Sequence, residues 1–299
     1  MAIKSLSELI TLAKSKQKKM LVVATAEDKS VLAAVKDAMN QGLITPLLIG
    51  DKSKISDICG ELGFSLTNTE IIDQPDSAMA CRTAVMAIRE KKAQILMKGF
   101  VATSVLLHAV LDKETGISDS PVLSHFTLSQ IPTYHKLLSV TDAAMNISPD
   151  LNQKIEIVKN AVKIMNCLGY DKPKVAVVCP VETVNPKIES TIHAAILTMM
   201  NQRGQIKNCI IDGPLALDNS ISKEAALHKG IKSEVAGDAD ILLTPDLDAG
   251  NILYKSINFL AGGLTAAIII GAKVPFVLTS RADSEESKLM SIALAVALQ

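Results

Sequence analysis

The chain has 299 residues, 48% of them hydrophobic, and its 31 Lys plus Arg balance 31 Asp plus Glu, so the formal net charge is zero. The length sets a prior of about two domains, and the apolar content is ample for two buried cores. Balanced charge without any basic block excludes a surface built to displace a polyanion's counterions, so no nucleic acid is expected as a partner.

Along the chain, short β-branched runs alternate with helical patterns, which is the mark of βα units on a mostly parallel sheet and predicts an α/β fold. Strands are predicted at 20–25, 46–49, 95–97, 175–179, 209–212, 241–244 and 275–279, with helices such as 30–41 and 77–91 between them. The clearest helix is 150–168, where Leu151, Ile155, Val158, Val162 and Met165 recur on one face and Asp150 stands as the cap. From 122 to 144 two strand-like runs joined by Ile131-Pro132-Thr133 leave little room for a crossover helix and read as a hairpin. That break in rhythm predicts a discontinuous first domain, 1–121 plus 271–299, enclosing a second, 122–270. The uncharged run between Lys255 and Lys273 is shorter than the roughly 20 apolar residues a membrane helix needs. Gly262 and Gly263 interrupt it, so it reads as a buried helix and strand, and no membrane partner is expected. Cys59, Cys81, Cys167, Cys179 and Cys209 stand apart with no CxxC pair, and the N-terminus lacks a signal-peptide core. A reducing cytoplasm is the expected compartment.

Two strand-to-helix junctions carry the chemistry. At 240–255 a buried strand runs into an acidic, glycine-bearing turn and then a helix. At 275–286 another apolar strand is followed by Ser280-Arg281 and the acidic helix opening Asp283-Ser284-Glu285-Glu286. Strand carboxyl ends and helix N-termini converge at such junctions, which is where α/β enzymes hold small molecules. Hydroxyl, guanidinium, carboxylates and free helix N–H groups suit holding a phosphate and moving a proton. Each residue also has a structural reading. Asp283 to Glu286 fit a helix first turn, Asp246 and Asp248 could shape the turn that Gly250 relieves, and Asn251 could cap the next helix. Lys98 before Gly99 could be a solvated lysine, and His108 among Leu106 and Leu107 a core or boundary histidine. His125, His135, His193 and His228 show no metal spacing, so no metal is expected.

Several spaced motifs resemble the phosphate acetyltransferase and phosphate butyryltransferase family. They are 235–240 (VAGDAD), 245–251 (PDLDAGN), Tyr254-Lys255 and Ser280-Arg281. The segments 96–104 (LMKGFVATS) and 140–146 (VTDAAMN) are more similar to its butyryl branch. The resemblance runs from about Lys18 to the end. It implies reversible acyl transfer between coenzyme A and inorganic phosphate, with coenzyme A as a substrate and no resident cofactor. It also implies two three-layer α/β/α domains in an isocitrate-dehydrogenase-like layout, with the active site in the interdomain cleft and a homodimer or higher homo-oligomer. By the same resemblance the Ser280-Arg281 pair is catalytic, and Asp246, Asp248, Gly250, Asn251 and Lys255 lie near coenzyme A. The family's base is an aspartate seven residues after the serine, where this chain has Ser287. Glu286 is expected to serve instead, with Asp283 and Glu285 next. The acetyl branch uses arginines in the first domain. Following Thr103-Ser104 this chain offers His108 and no arginine, so Lys98 or His108 is expected to contact phosphate.

The chemistry supports those roles independently. A thiol with a pKa near about 8.5 is mostly protonated at neutral pH, so a general base helps it attack an acyl phosphate. Arg281 presents a fork matched to phosphate oxygens, and Ser280 can donate to the developing oxyanion. Two rival classes are a non-catalytic acyl-CoA-binding relative and a hydroxy-acid oxidoreductase. No GxGxxG follows any strand, which disfavours the latter.

Overall fold

The computed structural model describes residues 2–67, 69–280 and 282–299. The chain divides into two compact units: a flanking unit, Ser7–Pro121 with Ala266–Gln299, and a central unit, Val122–Thr265 with the residues up to Leu6. The first segment carries α1 (Leu6–Lys14), β1 (Lys19–Ala24), α2 (Lys29–Asn40), β2 (Ile44–Gly50), α3 (Lys52–Leu62), β3 (Glu70–Asp73), α4 (Ser77–Arg89), β4 (Ile95–Lys98) and α5 (Thr103–Leu111). Next come β5 (Ser124–Gln130), β6 (Ser139–Thr141), α6 (Leu151–Cys167), β7 (Lys174–Val178), α7 (Glu189–Gln202) and β8 (Ile210–Leu215). Two short helices, α8 (Leu217–Ile221) and α9 (Lys223–His228), precede β9 (Ile241–Leu243) and α10 (Leu247–Phe259). The chain closes with β10 (Leu264–Ile270), β11 (Phe276–Val277) and α11 (Glu285–Ala297).

In the flanking unit the strands run β3-β2-β1-β4-β11-β10. Neighbours are parallel from β3 to β11, and β10 is antiparallel to β11. The central strands are apolar runs buried on both faces, which is why they read as continuous hydrophobic segments rather than alternating ones. Strand β3, with half its residues exposed, is too short and polar at the sheet edge to stand out in the sequence. Helix α11 packs on α2 and is buried from Ser287 to Ala297. Its small residues let it be covered on all sides, and Ser291 Oγ accepts from Ala267 N–H at 2.9 Å while donating to Ser287 O at 2.7 Å.

The central unit holds a wholly parallel sheet, β6-β9-β7-β8. Helix α6 begins with a full capping box: Gln153 N–H donates to Asp150 Oδ1 at 2.8 Å, and Asp150 N–H to Gln153 Oε1 at 3.0 Å. The predicted hairpin at 122–144 is not a two-stranded ladder. β5 and β6 approach antiparallel at one bridge, Ser129 with Leu138, and β6 then pairs with β9. The reason lies in one side chain: Thr127 Oγ1 bonds both the C=O and the N–H of Val140, at 3.1 and 3.0 Å, taking the place of a strand partner.

At the amino ends of β6, β7 and β9 sits a charge network. Asp238 accepts from Lys174 Nζ at 2.6 Å and His135 Nε2 at 2.8 Å, and Lys136 Nζ lies 3.0 Å from Asp238 and 2.7 Å from Asp240. Burial alone would raise Asp238, but the hydrogen bonds from Lys174, His135 and Lys136 outweigh it and hold the carboxyl well below its usual range. A depressed carboxyl contributes stability in full above the unfolded value of about 4, and loses it as pH falls further toward the folded value. Asp238→Asn should therefore lower Tm at pH 7 by on the order of 5 °C, with the deficit closing below about pH 4. Calorimetry across that range checks this, and a deficit constant with pH would contradict it. No helix among the described residues is long and apolar enough to cross a membrane.

Candidate active site

The flanking unit gathers its polar residues where its parallel strands end. Register pairs Ala24 with Lys98 across β1 and β4, and Met97 with Val277 across β4 and β11. The chain leaving β4 and the chain leaving β11 toward Ser280 therefore emerge side by side. Beyond β4 the backbone runs against the end of β1: Gly99 N–H donates to Ala24 O at 2.9 Å and Phe100 N–H to Thr25 O at 2.7 Å. A Cβ at Gly99 would stand 1.9 Å from Thr25 O, so only glycine fits. Thr25 itself has a φ of 56°, a left-handed conformation costly for a β-branched residue and held here by its neighbours.

Lys98 is buried rather than solvated, and its Nζ donates to the carbonyls of Gly99 and Val101, each at 3.1 Å. It braces the turn that leads into α5. That helix starts at Thr103 after Ala102, which offers no side-chain cap, so its first N–H groups and its dipole face outward unclaimed by a capping side chain. Thr103 is half-buried, while Ser104 and His108 are exposed. The expectation of a core or boundary histidine at His108 is thus corrected: it occupies the solvent side of α5.

Beyond β11 the turn is built by Asp283. Its Oδ2 accepts from Ser280 N–H at 2.7 Å, and Asp283 N–H donates back to Ser280 O at 3.2 Å. Ser280 Oγ accepts from Ala282 N–H at 3.3 Å. Asp283 is buried, and the buried Lys288 donates to its carbonyl. Ser284 caps α11 by accepting from Ser287 N–H at 3.1 Å. Ser287 is buried against that cap, whereas Glu285 and Glu286 are exposed in the first turn. Arg281 lies outside the described residues.

In the central unit the turn after β9 is shaped equally closely. Asp246, and not Asn251, caps α10, its Oδ1 accepting from Ala249 N–H at 2.8 Å. Asn251 instead reaches from within the helix to Ala143 O at 3.2 Å. A Cβ on Gly250 would stand 2.1 Å from Asp142 O, so this glycine permits the contact between α10 and the turn after β6. Asp142 organises that turn, its Oδ1 accepting from Ala144 and Met145 N–H at 2.9 and 3.0 Å. Asp248 is exposed, and Lys255 Nζ sits 4.4 Å from the centre of the Tyr254 ring.

Sequence spacing misses three groups that burial makes chemically distinctive. Lys154 on α6 is buried with its Nζ 3.1 Å from His193 Nδ1 on α7. Burial pulls the Lys154 pKa down, against the fields of Glu189, Cys179 and Asp246, and burial together with the Lys154 charge pulls His193 down. In the flanking unit, Glu27 follows the end of β1 half-buried, and burial with the nearby Asp51 pushes its carboxyl up. The one available signal was position, an acid just past a strand end. A cavity of about 400 Å³ lined by Lys18, Met39, Thr45, Ser65 and Thr67 lies at the amino ends of β1 and β2, away from the strand ends that bear Lys98 and Ser280.

Over residues 5–80 and 77–296 the chain matches the family described as Phosphate acetyl/butaryl transferase. It is 44% identical over 293 residues to the phosphate butyryltransferase of Clostridium acetobutylicum, covering 98% of this chain and 97% of the relative. It is 47% identical over 289 residues to the phosphate acetyltransferase of Thermotoga maritima, covering 97% and 98% respectively. Among solved structures, a branched-chain phosphotransacylase from Enterococcus faecalis V583 superimposes with a TM-score of 0.84 at 33% identity, covering 94% of this chain and 98% of that one.

Proposed function

The chain belongs to the phosphate acetyltransferase and phosphate butyryltransferase family of acyltransferases, and on that premise we propose that it moves a short acyl group, butyryl by preference, reversibly between coenzyme A and inorganic phosphate. The observation that carries the reading is the convergence of Ser280 and the Lys98 turn, with its uncapped α5, at the carboxyl ends of two adjacent parallel strands. Phosphate sits at the α5 N-terminus, taking the Thr103 and Ser104 N–H groups, with Arg281 as its bidentate partner. Lys98 holds this turn in place. Ser280 donates to the oxyanion of the tetrahedral intermediate. Asp246, Asp248, Gly250, Asn251 and Lys255 serve coenzyme A, and the enzyme works as a homodimer or larger homo-oligomer.

Removal of the thiol proton falls to a carboxylate near Ser280. Glu286, exposed and free to swing, is the proposed base, and Asp283 is the alternative because its carboxylate already contacts the Ser280 backbone. Glu286→Gln should reduce turnover on the order of a hundredfold at pH 7, with the loss shrinking as pH rises toward the thiol pKa. A pH–rate profile decides between them: unchanged activity at pH 7 would dismiss Glu286 and turn attention to Asp283→Asn.

Release of free coenzyme A thiol from butyryl-CoA, followed with and without phosphate, tests the overall reading. Strict, saturable dependence on phosphate is the expected result. Release at the same rate in phosphate-free buffer would refute it.

A further inference from the structure

Of the five phenylalanines, Phe64, Phe126 and Phe276 are buried in the core, and Phe259 lies exposed on α10 with the Lys255 ammonium 5.8 Å from its ring. Phe100 is 53% exposed, yet its turn is held by several hydrogen bonds. Its own N–H is bonded to Thr25 O at 2.7 Å, Val101 N–H closes back on Gly99 O at 3.0 Å, and the buried Lys98 ammonium grips the carbonyls on both sides of it. Val101, the next residue, turns inward and is buried. Scattered exposed apolar side chains are ordinary. What is not ordinary is the investment of a buried cation and a steric requirement for glycine in fixing one of them outward.

The turn's position says what the ring meets. It lies between the end of β4 and the uncapped N-terminus of α5, alongside the chain that runs from β11 to Ser280. Those are the polar groups assigned above to phosphate and to the acyl oxyanion. An exposed aromatic side chain on this held turn offers apolar contact to whatever extends from the reacting carbonyl. We infer that Phe100 determines acyl-chain specificity, its ring packing against the methylenes of the acyl group. The inference rests on the acyl transfer proposed above. An acetyl group has no methylene to place there and a butyryl group has two, so the contact favours butyryl by on the order of tenfold or more.

The test compares kcat/KM for butyryl-CoA and acetyl-CoA, both with saturating phosphate, in the wild type, Phe100→Ala and Phe100→Leu. In Phe100→Ala the butyryl constant should fall on the order of tenfold further than the acetyl constant, and Phe100→Leu should retain most of the wild-type preference. Because the side chain is half in solvent, both variants should fold, which circular dichroism and Tm confirm before kinetics. A butyryl-to-acetyl ratio unchanged in Phe100→Ala, whether the two constants fall together or stay put, overturns the inference while leaving the transferase reading intact. Absence of phosphate-dependent turnover in the wild type with either thioester defeats the reading itself, and the inference with it.

Discussion

Ser280→Ala is expected to lower turnover on the order of a hundredfold while leaving coenzyme A affinity nearly unchanged. In the resting turn Ser280 Oγ is an acceptor, from Ala282 N–H, and among the described residues its proton is given to no protein acceptor. The bond it makes to a substrate oxygen gains strength only as that oxygen acquires charge, so its loss should appear in kcat rather than in binding. The turn itself does not need the hydroxyl. The Ser280 backbone is fixed by Asp283 through both its N–H and its C=O, and alanine keeps those bonds. Steady-state kinetics beside calorimetric binding of coenzyme A check this. A proportionate loss of coenzyme A affinity would mean that Ser280 holds the ground state instead.

Gly99→Ala is expected to be comparably damaging for a different reason. The new methyl would lie 1.9 Å from Thr25 O, 2.7 Å from Thr25 C and 2.9 Å from Ala24 O. All three are buried backbone atoms at the end of β1 and the residue after it, and none can rotate away. Either the turn detaches from β1, giving up the bonds at Gly99 and Phe100, or the strand end shifts. Overpacking of this kind costs about 3 kcal/mol and should also cost at least tenfold in activity if the turn carries the phosphate and acyl contacts proposed above. Gly60→Ala is the matched control. Gly60 lies within α3 with nothing near its missing Cβ, and alanine there should stabilise by up to about 1 kcal/mol. Denaturant unfolding of the two variants side by side distinguishes steric exclusion from a general intolerance of alanine for glycine.

Much of the parallel framework was legible because strands buried on both faces must be apolar throughout, as at β1, β2 and β4, and because Asp150 announces α6 through local capping chemistry. β3 escaped notice since a short edge strand needs no such run. The antiparallel approach of the two runs at 122–144 holds at Ser129 and Leu138, but the ladder stops at Thr127, whose hydroxyl occupies the peptide group of Val140. No periodicity encodes that choice. Within the site, Gly99 and Gly250 stood out as glycines beside polar strand ends, but their reason, a backbone oxygen about 2 Å from a missing Cβ, exists only in three dimensions. Lys154 and His193 are distant in sequence and become a pair only through the packing of α6 on α7. The helix phase of α11 was likewise beyond the sequence. It decides that Ser287 faces the cap and Glu286 faces water, and it leaves Asp283 as the carboxylate that touches Ser280.

In the proposed reaction the acyl group leaves coenzyme A for phosphate and not for water. Purified protein incubated with butyryl-CoA and phosphate, with butyryl phosphate read directly by phosphorus NMR, distinguishes the two acceptors. Butyryl phosphate formed in equal amount to coenzyme A released, and butyryl-CoA formed when butyryl phosphate and coenzyme A are supplied instead, is the expected result. Coenzyme A released with only free butyrate, or no release at all, would contradict it.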